Sequence, residues 1–300
     1  MELRHLRYFI AVAEEGSVSL AAERRLHTSQ PSLSRQLRDL EREVGAQLLT
    51  RSARGVDLTA AGRAFLDHAR LALSQAEAAG EAARRAAHPA KAAFVMGFLT
   101  GYEVDWLAEA MRVLRDALPS VDIVISSDTS PQLAAALLRG RIDVAFMRAE
   151  AEQPDLSFRH LAKDPLIVVL PADHRLSARK AIDLTDIAGE TFISVSKTAP
   201  ALRVVVDDYI RRSGLGIAPD HEADNLAMAM SLVASTRGVA LLPAYARNFL
   251  PRSVVSRPLH GAAPTIDLVL GYHTANTSEL LRLFLSRVHD LIARVSEGPQ

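Results

Sequence analysis

Within "HTSQPSLSRQLRDLE" and the residues that follow it, Leu33, Leu37, Leu40 and Val44 recur at spacings of four, three and four. That is the period of one buried helical stripe. Gln30, Ser34, Arg35 and Arg38 project away from it, Pro31 falls in the first turn where its missing N–H costs little, and Gly45 ends the helix. Upstream, Leu3, Leu6, Phe9, Ile10, Val12 and Ala13 predict an apolar helix face. Gly16-Ser17 breaks that helix, and Ser17 is placed to cap a second one over "VSLAAERRL". His27-Thr28-Ser29 reads as a polar turn, and downstream Leu48-Leu49 and Val56-Leu58 flank an Arg-Ser-Ala-Arg-Gly turn, as in a small hairpin. Helix, helix, turn, helix, hairpin over residues 1–63 is the order of a winged helix-turn-helix.

A long helix is expected next, capped by Thr59 and serving as a linker over 64–88. Its Leu66, Ala69, Leu73, Ala76, Gly80, Ala83 and Ala87 alternate spacings of three and four, which predicts a dimer seam. An alanine-rich helix packed on its own domain has a similar pattern. His88-Pro89 ends the run and the following Ala-Lys-Ala-Ala reads as a hinge. From 93 to 300 strands alternate with helices: "FVMGFL", "DWLAEAMRVLRDAL", "VDIVISS", "PQLAAALLRG", "IDVAFM", "PLIVVLP", "TFISV", a helix near 200–212, "NLAMAMSLVAS", "GVALLP" and "TIDLVLGYH". The fold class is therefore α/β, with a mainly parallel sheet covered on both faces. Its length suits two lobes around a cleft, lobe I at about 93–162 and 268–300 and lobe II at about 163–267.

Composition narrows the function classes. The 300 residues carry no formal net charge, so attraction to nucleic acid has to be local. Residues 1–63 hold ten arginines against eight acidic residues, a permissive balance and no more. There is no cysteine, which excludes disulfides, thiolate nucleophiles and thiol-based redox sensing. The N-terminal run is too interrupted by charge to read as a secretory signal, and a cytoplasmic protein with no membrane contact is expected. His160, His174, His221, His260 and His273 are scattered with no paired metal motif, and the glycines form no phosphate-binding loop. No cofactor, metal site or catalytic residue is expected.

The polar face of the third helix suits DNA. Gln30 and Ser34 have groups that bond phosphates or base edges, Arg35 and Arg38 can read guanine or bind phosphate, and Arg51 and Arg54 tip the hairpin. The nearly continuous stretch "LRYFIAVAEEGSVSLAAERRLHTSQPSLSRQLRDLEREVGAQLLTRSARGVDLTAAG" resembles the N-terminal domain of LysR-type transcriptional regulators. "LLRGRIDVAF" and "GVALLPA" extend the resemblance over essentially the whole chain. It implies a DNA-binding regulator with a winged helix-turn-helix, a dimerising linker helix and a two-lobed effector domain like periplasmic binding proteins of the second type. It also implies a homotetramer built as a dimer of dimers on double-stranded promoter DNA, with RNA polymerase as a further partner. On that resemblance Thr28, Ser29, Gln30, Pro31, Ser34, Arg35 and Arg38 meet the major groove, with Arg51 and Arg54 on the wing.

In open α/β sheets ligands bind beyond the carboxyl ends of the strands. Those positions are held by Thr100 and Gly101, Thr129 and Ser130, Arg148, and Ser196, Lys197 and Thr198, with Arg203 one helical turn on. Hydroxyls, helix starts and cations form an anion-friendly set, so a small carboxylate effector is expected. The resemblance to aromatic-acid-responsive members suggests an aromatic one. One departure stands out: Thr236 occupies a position where the family usually has glycine, two residues before Gly238, which predicts strain or a reshaped loop beside the cleft. The alternatives are an architectural DNA-binding protein without a working switch and an enzyme on the two-lobed fold.

Overall fold

The leucine stripe does its predicted work. In the computed structural model, which describes residues 1–52, 55–87, 93–117, 121–149 and 153–297, Leu33, Leu37 and Leu40 of helix α3 (Gln30–Val44) are fully buried. Each contributes about 1.5–3 kcal/mol of apolar burial. They pack with Leu6, Phe9 and Val12 of α1 (Leu3–Glu15) and with Ala21 and Ala22. The second helix, α2 (Val18–Leu20), begins where the Ser17 hydroxyl accepts the Leu20 N–H and runs on as a wide π-type turn over Ala21–Leu26. His27 ends it in the left-handed region at φ 47°. Two expectations for α3 need correction. Val44 is 37% exposed because it lies beyond the end of the core, and Ser34 is only 5% exposed, turned into the unit instead of out of it.

Strands β1 (Leu49–Ser52) and β2 (Gly55–Leu58) pair antiparallel as the wing. The Glu41 carboxylate accepts the N–H groups of Leu48 and Leu49 at 2.9 and 3.0 Å and so ties the wing to α3. Gly55, at φ 132°, lies so close to Gly16 that a Cβ would fall 2.5 Å from the Gly16 carbonyl oxygen. Helix α4 (Ala60–Ala87) starts with Thr59 accepting the Gly62 N–H. Its proximal seam positions serve the chain's own core: Ala69 is buried in it, Leu66 and Leu73 pack against it, and Phe65 meets Phe9 edge-on at 5.2 Å. The open part of the stripe begins at half-buried Ala76 and Gly80 and reaches exposed Ala83. The side chain of Ala87 and the expected hinge at 88–92 lie outside the described residues.

The chain divides into two compact units, Met1–His88 and Pro89–Gln300. In the second, β3 (Ala93–Leu99), α5 (Glu103–Ala117), β4 (Asp122–Asp128), α6 (Ser130–Leu138) and β5 (Val144–Met147) form a β-α-β-α-β series. Phe94, Phe98, Trp106 and Phe146 fill its core, with Phe98 stacked on Phe146 at 4.5 Å. The long β6 (Leu156–Pro171) then leads through a loop to β7 (Phe192–Val195), α7 (Pro200–Ser213), β8 (His221–Ala223), α8 (Leu226–Thr236) and β9 (Val239–Pro243). A short helical segment Ala244–Phe249, β10 (Val254–Pro258), β11 (Thr265–His273), α9 (Glu279–Ser286) and α10 (Val288–Glu297) complete it.

The strand order is β4-β3-β5-β11-β6-β9-β7-β8, with β10 also on β6. The expected mainly parallel sheet is corrected: β3, β4 and β5 are parallel, as are β7, β8 and β9, but β6, β10 and β11 all pair antiparallel. The reason is the crossing between lobes. The first part of β6 pairs β11 as far as Pro165↔Thr265, and from Leu166 onward it pairs β9 and, from Ile167, β10. β6 thus passes from β11 to β9 and β10, and these antiparallel pairings turn the parallel series into a mixed sheet. Among the described residues no helix is long and apolar enough to cross a membrane.

Candidate functional site

On the first unit, the start of α3 is the open surface. Ser29 occupies the N-cap with no cap hydrogen bond from its side chain, and Gln30, Pro31, Arg35 and Arg38 are exposed, with Thr28 half-buried beside them. The unmet N–H groups of a first turn and its dipole attract phosphate. Ser34 sits under this surface, with the Gln30 side-chain amide donating to its hydroxyl at 3.3 Å. It orients Gln30 and does not face outward. The side chain of Arg51 and all of Arg54 lie outside the described residues. Behind the face, Glu14 is pinned: burial acts to raise its carboxyl, but hydrogen bonds from Arg70 and Arg25 hold it below its ordinary value.

In the second unit, a cavity of about 700 Å³ opens at the carboxyl ends of the strands. The first residues of α5, α6, α7 and α8, namely Glu103, Ser130, Pro200 and Leu226, all line it. Each helix start presents the equivalent of about half a positive charge. Thr100, Thr129 and Thr198 add hydroxyls, while Leu202, Met230, Tyr245 and Phe249 make the remaining wall mostly apolar. Gly101 at φ 103° permits this closeness, since a Cβ there would lie 2.8 Å from the Tyr245 ring.

Arg148 lines the cavity but is not a free cation. Its guanidinium donates to Ile266 O at 3.1 Å, to Asp164 at 3.2 Å and to the Tyr102 hydroxyl, which in turn donates to Asp164. Its backbone N–H donates to the buried Ser130 hydroxyl at 2.9 Å. The guanidinium lies 4.9 Å over the Tyr102 ring. Burial pushes the Tyr102 phenol far up, and pushes that of Tyr245 up to about 12. Both phenols therefore stay protonated.

Three expected effector contacts are not at the cavity. Arg203 is held by Glu222 and Asp207, each at 2.7 Å, and by the Val195 carbonyl, and it borders a separate groove with Ile210 and Pro219. Buried Ser196 supports Thr198, whose N–H donates to its hydroxyl at 3.2 Å, and exposed Lys197 is not part of the lining. The strain expected at Thr236 falls one residue on. Thr236 ends α8 and donates back to Leu232 O, whereas Arg237 takes the left-handed φ of 58°. The reading of strand ends missed Glu103, Asp224, Asn225, Tyr245 and Phe249, of which Glu103 stood in plain view in "GFLTGYE". Among the described residues no cluster of three or more His, Asp or Glu side chains is placed to hold a metal ion.

Comparison with known proteins agrees with both halves. The family model described as "Bacterial regulatory helix-turn-helix protein, lysR family" matches residues 3–63, and that of the "LysR substrate binding domain" matches residues 88–293. The Hca operon transcriptional activator HcaR of Escherichia coli is 37% identical over 297 residues, covering 99% of this chain and all (100%) of its own. The HTH-type transcriptional regulator CatR of Pseudomonas putida is 36% identical over 245 residues, 81% of this chain and 83% of its own. Full-length CbnR in complex with its target DNA superposes with a TM-score of 0.57 at 26% identity, covering 97% of this chain and 100% of that one.

Proposed function

The chain belongs to the LysR family of DNA-binding transcriptional regulators, and from that premise we propose that a small carboxylate with an aromatic body, held between the lobes of its second unit, controls its grip on promoter DNA. It is a regulator and not an enzyme, as are its relatives. The observation that supports the effector reading is the cavity lining, where the starts of α6, α7 and α8 and the hydroxyls of Thr100 and Thr129 meet an aromatic wall of Tyr245 and Phe249. Helix starts and hydroxyls receive an anion without a free cation. Aromatic rings give a flat body its dispersion and edge contacts. Arg148, already neutralised by Asp164, acts as a polar floor and not as the clamp.

The DNA face in this reading is Thr28, Ser29, Gln30, Pro31, Arg35 and Arg38, with Ser34 positioning Gln30 and Arg51 and Arg54 on the wing. Two copies joined along α4, mainly through Ala76, Gly80 and Ala83, present two recognition helices to half-sites in the major groove. A dimer of such dimers completes a cytoplasmic homotetramer that engages RNA polymerase. Effector binding draws the lobes together about the crossing of β6 and β11. It shifts the DNA-bound arrangement only by its differential affinity for the closed and open forms. Calorimetric titration of the full-length protein with a panel of aromatic and aliphatic carboxylates tests the reading. Saturable binding that favours the aromatic acids is expected, and binding by no member of the panel overturns it.

A further inference from the structure

Two carboxylates line the cavity from opposite lobes. Glu103 opens α5 in the first lobe, and Asp224 follows β8 in the second. The Glu103 carboxylate accepts the Gly101 N–H at 2.7 Å on Oε2. Its Oε1 shares the single proton of Ser127 with Thr100, at 3.3 and 3.1 Å, so it keeps acceptor capacity to spare. Glu103 is half-buried and forms no ion pair among the described residues. Asp224 uses its backbone oxygen to accept the Thr198 hydroxyl at 2.9 Å, while its carboxylate is bonded to none of the described residues. Among the described lining residues Arg148 is the single cation, and it is committed to Asp164.

A ligand that fills this cavity strips water from the half-buried Glu103 carboxylate and lies beside the exposed Asp224. An ionised carboxylate is an acceptor only, and leaving it dry and unmet is unfavourable. An effector made of one acid group and hydrocarbon would meet neither Glu103 nor Asp224 and would add a third negative charge. We propose that the effector carries, besides its carboxylate, a hydrogen-bond donor on the ring, a hydroxyl or a protonated amine, and that Glu103 and Asp224 are the specificity-determining residues that read it. The inference rests on the carboxylate reading of the same cavity. It adds that the acid goes to the helix starts and hydroxyls while the donor goes to the two side chains, so that one molecule satisfies both kinds of wall.

The test is calorimetric titration of the full-length chain and of its Glu103→Gln and Asp224→Asn variants with benzoate, meta-hydroxybenzoate and meta-(aminomethyl)benzoate. The wild type is expected to bind at least one donor-bearing acid about tenfold or more tighter than benzoate, the worth of one hydrogen bond to a charged group. At least one variant is expected to reduce that preference to about threefold or less and to bind benzoate more tightly than the wild type does. Which donor-bearing acid wins separates hydroxyl from ammonium. Asp224→Asn alters an exposed side chain that bonds nothing described, so the test survives if Glu103→Gln disturbs α5. Equal affinity of the wild type for all three acids, or a preference kept in both variants, overturns the inference and leaves the carboxylate reading intact. Failure of every acid to bind any of the proteins overturns both.

Discussion

Arg148→Ala is expected to remove about 3–5 kcal/mol from the stability of the second unit, the usual loss when one partner of a buried ion pair is deleted. The side chains of Arg148 and Asp164 are only 5% and 11% exposed, and the guanidinium also holds the Ile266 carbonyl and the Tyr102 hydroxyl. Truncation leaves Asp164 charged where water reaches it poorly, with Tyr102 as its remaining described partner. For a unit of this size each kcal/mol lowers the melting temperature by about 2–4 °C, so a fall of about 6–20 °C is expected. Trp106, the chain's single tryptophan, is buried in this unit and reports its unfolding by fluorescence. Arg148→Met combined with Asp164→Leu should lose much less than the two single changes together, because apolar side chains of similar volume replace a buried pair at little cost. A single-variant loss below about 1 kcal/mol, or a double variant as unstable as the sum, would refute the buried-pair account.

Arg35→Ala should weaken binding to promoter DNA and flatten its salt dependence by about one unit of slope, with assembly by light scattering unchanged; undiminished DNA affinity would remove Arg35 from the DNA face. Glu190 should shape the acid limb of stability. Burial acts to raise its carboxyl, but hydrogen bonds from Arg175 and His174 hold it below its ordinary 4.5. A depressed carboxylate contributes stability above the unfolded value and loses it as pH falls through the folded one. Glu190→Gln should therefore melt lower at pH 7 and lose less on acidification below about pH 5; parallel acid limbs for the two proteins would contradict this. Gly101→Ala combines a φ of 103° with a Cβ 2.8 Å from the Tyr245 ring. It should lower stability by about 1–3 kcal/mol and weaken acid binding, and normal melting with normal titration would show that the wall tolerates the methyl group.

How far the sequence reached depended on whether a feature is local. The stripe of α3 is set by helical period, so Leu33, Leu37 and Leu40 were legible. Val44 shares their angle but lies past the core, and period says nothing about where a core ends. Ser34 lies about 60° from Leu37 around the helix, inside the buried arc, and is small and polar enough to be mistaken for surface. In β6 the stretch before Pro165 was missed because its alternation is polar and its pairing with β11 slips at Leu268/Val269. Hydroxyls at strand ends were found because strand ends are sequential features. The misplacement of Arg203 had a readable warning in Asp207 at i+4 on the same helix, yet Glu222 comes from strand β8. Tyr245 and Phe249 reach the cavity only because Ala244–Phe249 folds against the first lobe, where Asn248 bonds Asp105 at 2.9 Å and the Tyr245 ring lies 4.0 Å from that of Tyr102. Long-range packing of that kind leaves no periodic trace.

The central claim is that an acid in the cavity alters how the protein holds DNA. Footprinting of the full-length protein on promoter DNA, with and without the acid that titrates most tightly, tests it directly. The account predicts that the acid changes the protected positions or the bend-induced cleavage between half-sites, and that Thr100→Ala together with Thr129→Ala shifts this change to higher acid concentration. A footprint identical at zero and saturating acid would contradict it.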